Sequence, residues 1–287
     1  MSQERKVIIL TGANSATEKA VLALTIPPQH KIEISKLDLS SFTSIKSFAQ
    51  GLLTRDSTLP LNLLILNAAT IKSTLSKTED NFETTFQTNH FSYFLLIHLL
   101  LDRIIWTSEQ QQQRADPFIS RIIFVSSSLH KQSEGHKNFE SLDVENLDGS
   151  KGYDGLLFYR HSKLMQMLCF NQLNKILERE AKEKVSLIAI EPGFMPQTDL
   201  SRESAIYIKL LMKFILPLAP FARTPEQGGM VIVYASTSPD LEKQSGIYIN
   251  KFCKVDKASE DSYKEDLQKI WWNISCDLTG LVEKKLI

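Results

Sequence analysis

The chain has 287 residues, 43% of them hydrophobic and 23% charged, which is enough for one large folded domain with a substantial core. Its 33 basic and 33 acidic side chains cancel, so no global field favours nucleic acid or a strongly cationic partner. The three cysteines (Cys169, Cys253 and Cys276) stand far apart with no histidine at ligand spacing, which reads as buried thiols in a reducing compartment and argues against a disulfide framework or a metal site.

The first apolar run, residues 6–10, ends at Thr11-Gly12 and predicts a buried parallel strand entering a turn. The polar residues before it resemble neither a signal peptide nor a membrane anchor, so a cytoplasmic location is expected. Further strands are predicted at 31–38, where the pattern alternates, and at 61–66, 121–125, 185–190 and 246–249. Helical patterns fill 44–53, 83–101, 158–181 and 226–236, with start signals at Ser40-Ser41 and Thr224-Pro225. Residues 107–116, with their glutamine run, read as a solvated loop insertion. Residues 204–221 are apolar but interrupted by Lys209, Lys213, Pro217 and Pro220. They make either a core or dimer helix, or a flap over a lipophilic pocket or on a membrane surface. Strands alternating with helices predict an α/β fold, a doubly wound parallel sheet that binds ligands at the carboxyl ends of its strands. No internal repeat or linker divides residues 1–287, which are read as a single domain.

Tyr159 and Lys163 fall one helical turn apart on one face. A cation that close favours the phenolate and lowers a pKa otherwise near 10, which suits a general acid or base near neutral pH. Ser126, Ser127 and Ser128 follow an apolar strand, where a parallel sheet presents ligand-binding groups; serines there also serve as a turn or helix cap.

Thr11-Gly12, Asp38-Leu39, Asn67-Ala68-Ala69, Asn89-His90, Ser126-Ser127, Tyr159 with Lys163, and Pro192-Gly193 with Thr198 occur in one order along the chain. That series resembles the short-chain dehydrogenase/reductase family over essentially the whole length. Residues 86–96, 159–164 and 238–248 and the tail from Trp271 to Gly280 resemble the branch holding retinol dehydrogenases, the WW-domain-containing oxidoreductase and the X-linked polyprenol dehydrogenase/reductase. The resemblance implies a Rossmann-like fold, with a cofactor half at about 1–125 and a catalytic and substrate half at about 126–287. It implies NAD or NADP as cofactor and a lipophilic alcohol or carbonyl as substrate. Tyr159 would move the proton, Lys163 would tune it and hold the ribose, Ser127 would bind the substrate oxygen, and Asn89 would organise a proton-relay water. Gly12, Asn14, Ser15, Asp38, Leu39, Asn67, Ala68, Pro192, Gly193 and Thr198 would line the cofactor together with Tyr159 and Lys163. Relatives commonly pair through the helix carrying the tyrosine, which implies a homodimer.

Two departures stand out. A phosphate-binding turn needs glycines for close backbone approach, yet Ala16 and Glu18 occupy positions where the family has glycine. Glu18 either repels the pyrophosphate or begins a solvated helix that points away. Gly12 and Asp38 also stand about half as far apart as in the family, with Pro27-Pro28 bridging the gap. A sheet lacking its second strand and the following helix is expected. The readings left open are an alcohol dehydrogenase or carbonyl reductase, and a non-catalytic scaffold with weakened cofactor binding. A peripheral membrane contact through 204–221 is a further expectation.

Overall fold

The computed structural model describes residues 6–12, 33–113, 119–131, 144–180, 184–196 and 219–281. A six-stranded sheet forms its centre: β1 (Ile8–Leu10), β2 (Leu63–Leu66), β3 (Ser120–Val125), β4 (Val185–Ile190), β5 (Ile247–Ile249) and β6 (Val255–Asp256). Spatial order follows chain order, with β1 to β5 parallel and β6 antiparallel to β5. Among the described residues five helices accompany the sheet: α1 (Phe42–Arg55), α2 (Thr84–Gln112, with a π-helical turn over Gln87–Phe91), α3 (Gly155–Glu180), α4 (Pro225–Thr237) and α5 (Glu265–Thr279).

The strands carry no polar alternation because both faces of the sheet are covered. Leu64, Leu66, Ile122, Phe124, Leu187 and Ala189 pack toward α1, α2, α3 and α5, while Ile65, Ile123, Val125, Ile188 and Ile190 pack toward α4. By length and composition α2 could cross a membrane, but most of its apolar stretch is buried in this core. Buried Arg121 of β3 ties α4 down, its guanidinium donating to the carbonyls of Ala235 (2.9 Å) and Ser238 (3.0 Å) at the end of that helix. The Thr224 and Gln227 side chains close a capping box at the other end of α4, and Pro225 enters the helix where no amide is needed.

Two expectations are corrected. Residues 33–38 form no strand. Among the described residues β1 is the edge of the sheet and 33–38 do not pair with it, and an unpaired strand gains nothing for its ordering. Ile34 of that segment is 82% exposed. Residues 107–112 of the expected loop insertion are helical, while 114–116 lie outside the described residues: α2 continues to Gln112, with Thr107, Ser108 and Gln111 buried. Their hydroxyls have backbone work to do. Thr107 Oγ1 accepts from Leu61 N (2.8 Å) and Ser108 Oγ from Ser120 N (3.1 Å), which caps the starts of two strands. The edge position of β1 agrees with a sheet shortened on that side. Ala16, Glu18, Pro27-Pro28 and most of 204–221 lie outside the described residues.

Helix α5 lies across α3 and α2. Trp272 stacks edge-on against Phe94 with ring centroids 4.9 Å apart, and Ser275 Oγ bonds His90 Nε2 at 2.8 Å. As a result, residues 158–171 of α3 are buried on every side within the single chain.

Candidate active site

The carboxyl ends of β1 to β4 bring most of the singled-out residues into one region. Thr11, the first residue after β1, is buried, and its Oγ1 accepts the amides of Asn67 (3.0 Å) and Ala68 (3.1 Å) after β2. The Asn67 side-chain amide donates to Thr11 O at 3.3 Å, and Tyr93 Oη donates to the Ala68 carbonyl. This lattice fixes the β1 and β2 exits relative to one another. Gly12 then turns the chain at φ 83°, where a side chain is strained.

Asn89 sits in the π-helical turn of α2, a distortion often found at functional sites. The distortion aims its amide inward. Oδ1 accepts Thr70 N (2.8 Å), while Nδ2 donates to Thr70 O (2.9 Å) and to Ser162 Oγ (3.1 Å). Ser162 Oγ in turn donates to the carbonyl of Tyr159 at 2.7 Å. Asn89 therefore joins the loop after β2, the bulge of α2 and the first turns of α3.

Tyr159 and Lys163 are both buried, 5% and 1% exposed. The Ser127 side chain stands near enough to the phenol to pull its pKa down. Lys163 Nζ donates to Val125 O at 2.8 Å and lies 6.0 Å from the Tyr159 ring centroid. Burial pushes the phenol up to about 12 against the pull of Ser127, and it pushes Lys163 down to about 7. The spacing of the pair predicts a lowered phenol. The structure gives the opposite sign because desolvation outweighs a cation directed at the Val125 carbonyl.

Of the roles left open by its position, Ser127 is seen in the cap: its Oγ starts the short Ser128–His130 turn by accepting Leu129 N at 3.3 Å. The neighbouring Ser126 hydroxyl is buried. His130 was not singled out from the sequence. Its Nε2 accepts Ser259 N at 3.1 Å, which leaves the Nδ1 proton facing the Ser127 carbonyl, and burial lowers its pKa to about 4. Its only signal in the sequence is its place three residues after Ser127.

Pro192 and Gly193 follow β4, with Gly193 at φ 90°. A Cβ there would meet Arg223 Cδ at 2.5 Å. Asp38 and Leu39 belong to a different network, at the start of α1. The Asp38 carboxylate accepts both the amide (2.9 Å) and the hydroxyl (2.6 Å) of Ser40, which lower its pKa, while the Leu39 side chain is buried in the core. Beside them an open groove of about 940 Å³ runs along α1, lined by residues including Ser35, Lys36, Phe48 and Arg55 and by none of the Tyr159 group. Asn14, Ser15 and Thr198 lie outside the described residues. Among the described residues no cluster of histidine, cysteine and carboxylate side chains could hold a metal ion, and the three cysteines are free thiols.

The profile of the short chain dehydrogenase family matches residues 1–138. The WW domain-containing oxidoreductase of Homo sapiens is 31% identical over 267 residues, covering 92% of this chain but only 60% of that protein. Retinol dehydrogenase 11 of Homo sapiens is 30% identical over 302 residues, covering 96% of this chain and 86% of that protein. The NADPH-bound carbonyl reductase from chicken fatty liver shares the fold, with a TM-score of 0.61 at 20% identity over 89% of this chain and 100% of that one.

Proposed function

Because this chain belongs to the short-chain dehydrogenase/reductase family, we propose that it interconverts an alcohol and a carbonyl on a lipophilic substrate, with NAD or NADP as cofactor. The observation that carries this reading is the buried Tyr159 and Lys163 one turn apart on α3, packed against the end of β3, where Lys163 Nζ donates to Val125 O. The residues present fit the nicotinamide end of such a cofactor. Gly12 and Gly193 expose backbone at the exits of β1 and β4, beside the Asn67-Ala68 turn that Thr11 holds in place. Tyr159, Lys163, Asn67, Ala68, Pro192 and Gly193 would hold that end; Asp38, Leu39, Asn14, Ser15 and Thr198 complete the proposed set. The nicotinamide supplies the hydride donor or acceptor when bound.

The chain's own groups handle the proton. Tyr159 Oη gives its proton to the substrate oxygen when a carbonyl is reduced and takes it back when an alcohol is oxidised. Burial keeps the phenol neutral, which is the form that reduction uses. The Ser127 hydroxyl holds the same oxygen and stabilises its developing charge. Asn89 acts through Ser162 on the backbone of Tyr159 and sets where the phenol sits. The lipophilic class is supported by the apolar residues after Gly193 and by the retinol dehydrogenase relative, and it takes in retinoids, steroids and prenols. The location proposed is cytoplasmic, with peripheral membrane contact through 204–221. A homodimer would have to pair away from α3, which α5 already covers.

The test is a titration with NADH and NADPH followed by intrinsic tryptophan fluorescence, then turnover of retinal by the wild type and Tyr159→Phe. Quenching together with a loss of about a hundredfold or more in kcat for the variant is expected. Undiminished turnover by Tyr159→Phe would overturn the assignment. A second reading, a non-catalytic scaffold, is favoured by the edge position of β1, which leaves the adenosine side of the site short of sheet among the described residues. No fluorescence response at millimolar levels of either cofactor would decide for it.

A further inference from the structure

Three phenylalanines stand exposed beside the Pro192-Gly193 turn: Phe194 (39%), Phe221 (55%) and Phe252 (67%). They form one surface, and Arg223 is its hub. The Phe194 and Phe221 rings lie 5.9 Å apart, Arg223 N donates to Phe194 O at 2.9 Å, and the Arg223 guanidinium sits 5.9 Å from the Phe252 ring. Lys251 Nζ lies 5.4 Å from that same ring, and its carbonyl accepts from Arg223.

Phe252 is held outward by a rigid turn between β5 and β6. Asn250 Oδ1 accepts the amides of Phe252 (2.9 Å) and Lys254 (3.2 Å), and Asn250 N donates to Lys254 O at 2.9 Å. Cys253 adopts φ 58°, a conformation that a non-glycine residue enters only when its surroundings require it. The tip therefore reads Lys251-Phe252-Cys253-Lys254, an aromatic ring between two ammonium groups. The nearby carboxylate of Asp256 is engaged by Asn250 Nδ2 at 3.1 Å.

We propose that this face docks on the surface of an anionic phospholipid bilayer, with Phe194, Phe221 and Phe252 entering the headgroup region while Arg223, Lys251 and Lys254 meet the phosphates. Exposed rings collared by cations match that interface, where apolar burial and electrostatic attraction add. A protein groove would instead ask for carboxylates positioned against three separate cations. The face adjoins the Gly193 turn, so a lipophilic substrate leaving the bilayer meets the site without crossing water. The inference deepens the proposed substrate class and rests on it for its purpose, but its test reads lipid binding and not turnover.

The full chain is sedimented with vesicles of phosphatidylcholine containing phosphatidylserine, and separately with vesicles of phosphatidylcholine alone. Binding to the anionic vesicles is expected, weakened about tenfold by Phe252→Ser and about fivefold by Lys251→Glu, with unchanged melting temperature in both variants. Phe221→Ser serves as an independent variant on the other side of Arg223. Failure to pellet with anionic vesicles, or equal pelleting of wild type and all three variants, would overturn the proposal. Equal binding to both vesicle types would overturn the part given to the cations. Self-association in lipid-free solution that Phe252→Ser abolishes would overturn it in favour of a second copy of the chain. Turnover of a water-soluble aldehyde should be untouched by Phe252→Ser, so failure of the docking proposal and failure of the catalytic reading are separable.

Discussion

Replacing Asn89 by alanine isolates the group that connects the site's loops. The substitution removes three buried hydrogen bonds, two to the Thr70 backbone and one to Ser162. The Thr70 amide is left without an acceptor in a place water does not reach, which alone costs about 1–3 kcal/mol, and the lost donor to Thr70 O and Ser162 adds to it. A total near 3 kcal/mol lowers the melting temperature by about 6–12 °C in a chain of this size. Asn89→Asp should recover little, since a carboxylate keeps the acceptor for Thr70 N but turns negative charge on the Thr70 carbonyl. Ser162→Ala should cost about 1 kcal/mol by itself. Combined with Asn89→Ala it should cost less than the sum, with a coupling of at least about 0.5 kcal/mol, because both variants break the same bond. The assay is thermal unfolding followed by circular dichroism for the four variants. An Asn89→Ala melting temperature within about 2 °C of wild type, or strict additivity with Ser162→Ala, would refute the linkage from Asn89 to Tyr159.

Arg121→Met should destabilise the fold by about 1–3 kcal/mol in urea unfolding, because it orphans the Ala235 carbonyl and leaves Ser238 O only the long bond from Leu241 N. Gly155→Ala should cost about 1–3 kcal/mol by the same measurement, since the added Cβ would fall 1.9 Å from Lys72 O and force the loop and the start of α3 apart. Acid should weaken the protein through three buried histidines, His90, His130 and His161, whose pKa values burial lowers to about 3, 4 and 4. Their contribution is fully present above the unfolded value near 6.5 and is lost as pH falls toward 4, because only the unfolded chain takes up the protons there. Urea midpoints measured at pH 7.5 and pH 5 should therefore fall toward acid, by about 1–2 kcal/mol for each histidine. Lys163, depressed to about 7, adds to the fall between pH 7.5 and about 6.5 in the same direction, and nothing further below, where both states hold its proton.

How far the structure could be read from the sequence depended on whether local chemistry and tertiary context agreed. Residues 185–190 form β4 over the predicted bounds, because six apolar-rich positions flanked by polar ones admit little else. Thr224-Pro225 marked the start of α4, and the cap is there. The reading failed where polarity has a buried use. Thr107 and Ser108 look solvated in sequence, yet Thr107 accepts the Leu61 amide just before β2 and Ser108 accepts the Ser120 amide that begins β3. The alternation at 33–38 is a strand pattern without a strand, because pairing needs a neighbour and none is placed beside this segment among the described residues. In the candidate site, Asn89, Ser127, Tyr159 and Lys163 were marked by residue type and order. The opposite sense of the Tyr159 shift was not, because it depends on how deeply α3 is buried, and so on α5, which carried no predicted helix.

The two halves of the proposed site differ in what holds them. Ser127 follows β3, which has a strand on either side, and Tyr159 and Lys163 lie on a helix enclosed by α2, α5 and the sheet. A shortened sheet removes none of those contacts. Gly12 follows β1, which is paired on one side only, over Ile8 to Leu10, and Ile8 is 43% exposed. What steadies that exit is a side chain: Thr11 Oγ1 accepting two amides from the β2 exit, with Tyr93 behind it. An edge strand of three residues opens at far lower cost than an internal one, so a sheet that ends at β1, as it does among the described residues, would weaken the hold on the proposed cofactor while Tyr159 and Lys163 keep their geometry. For the proposed activity this predicts a raised KM for cofactor with kcat preserved in steady-state assays, the opposite of what decay beginning at Tyr159 would leave.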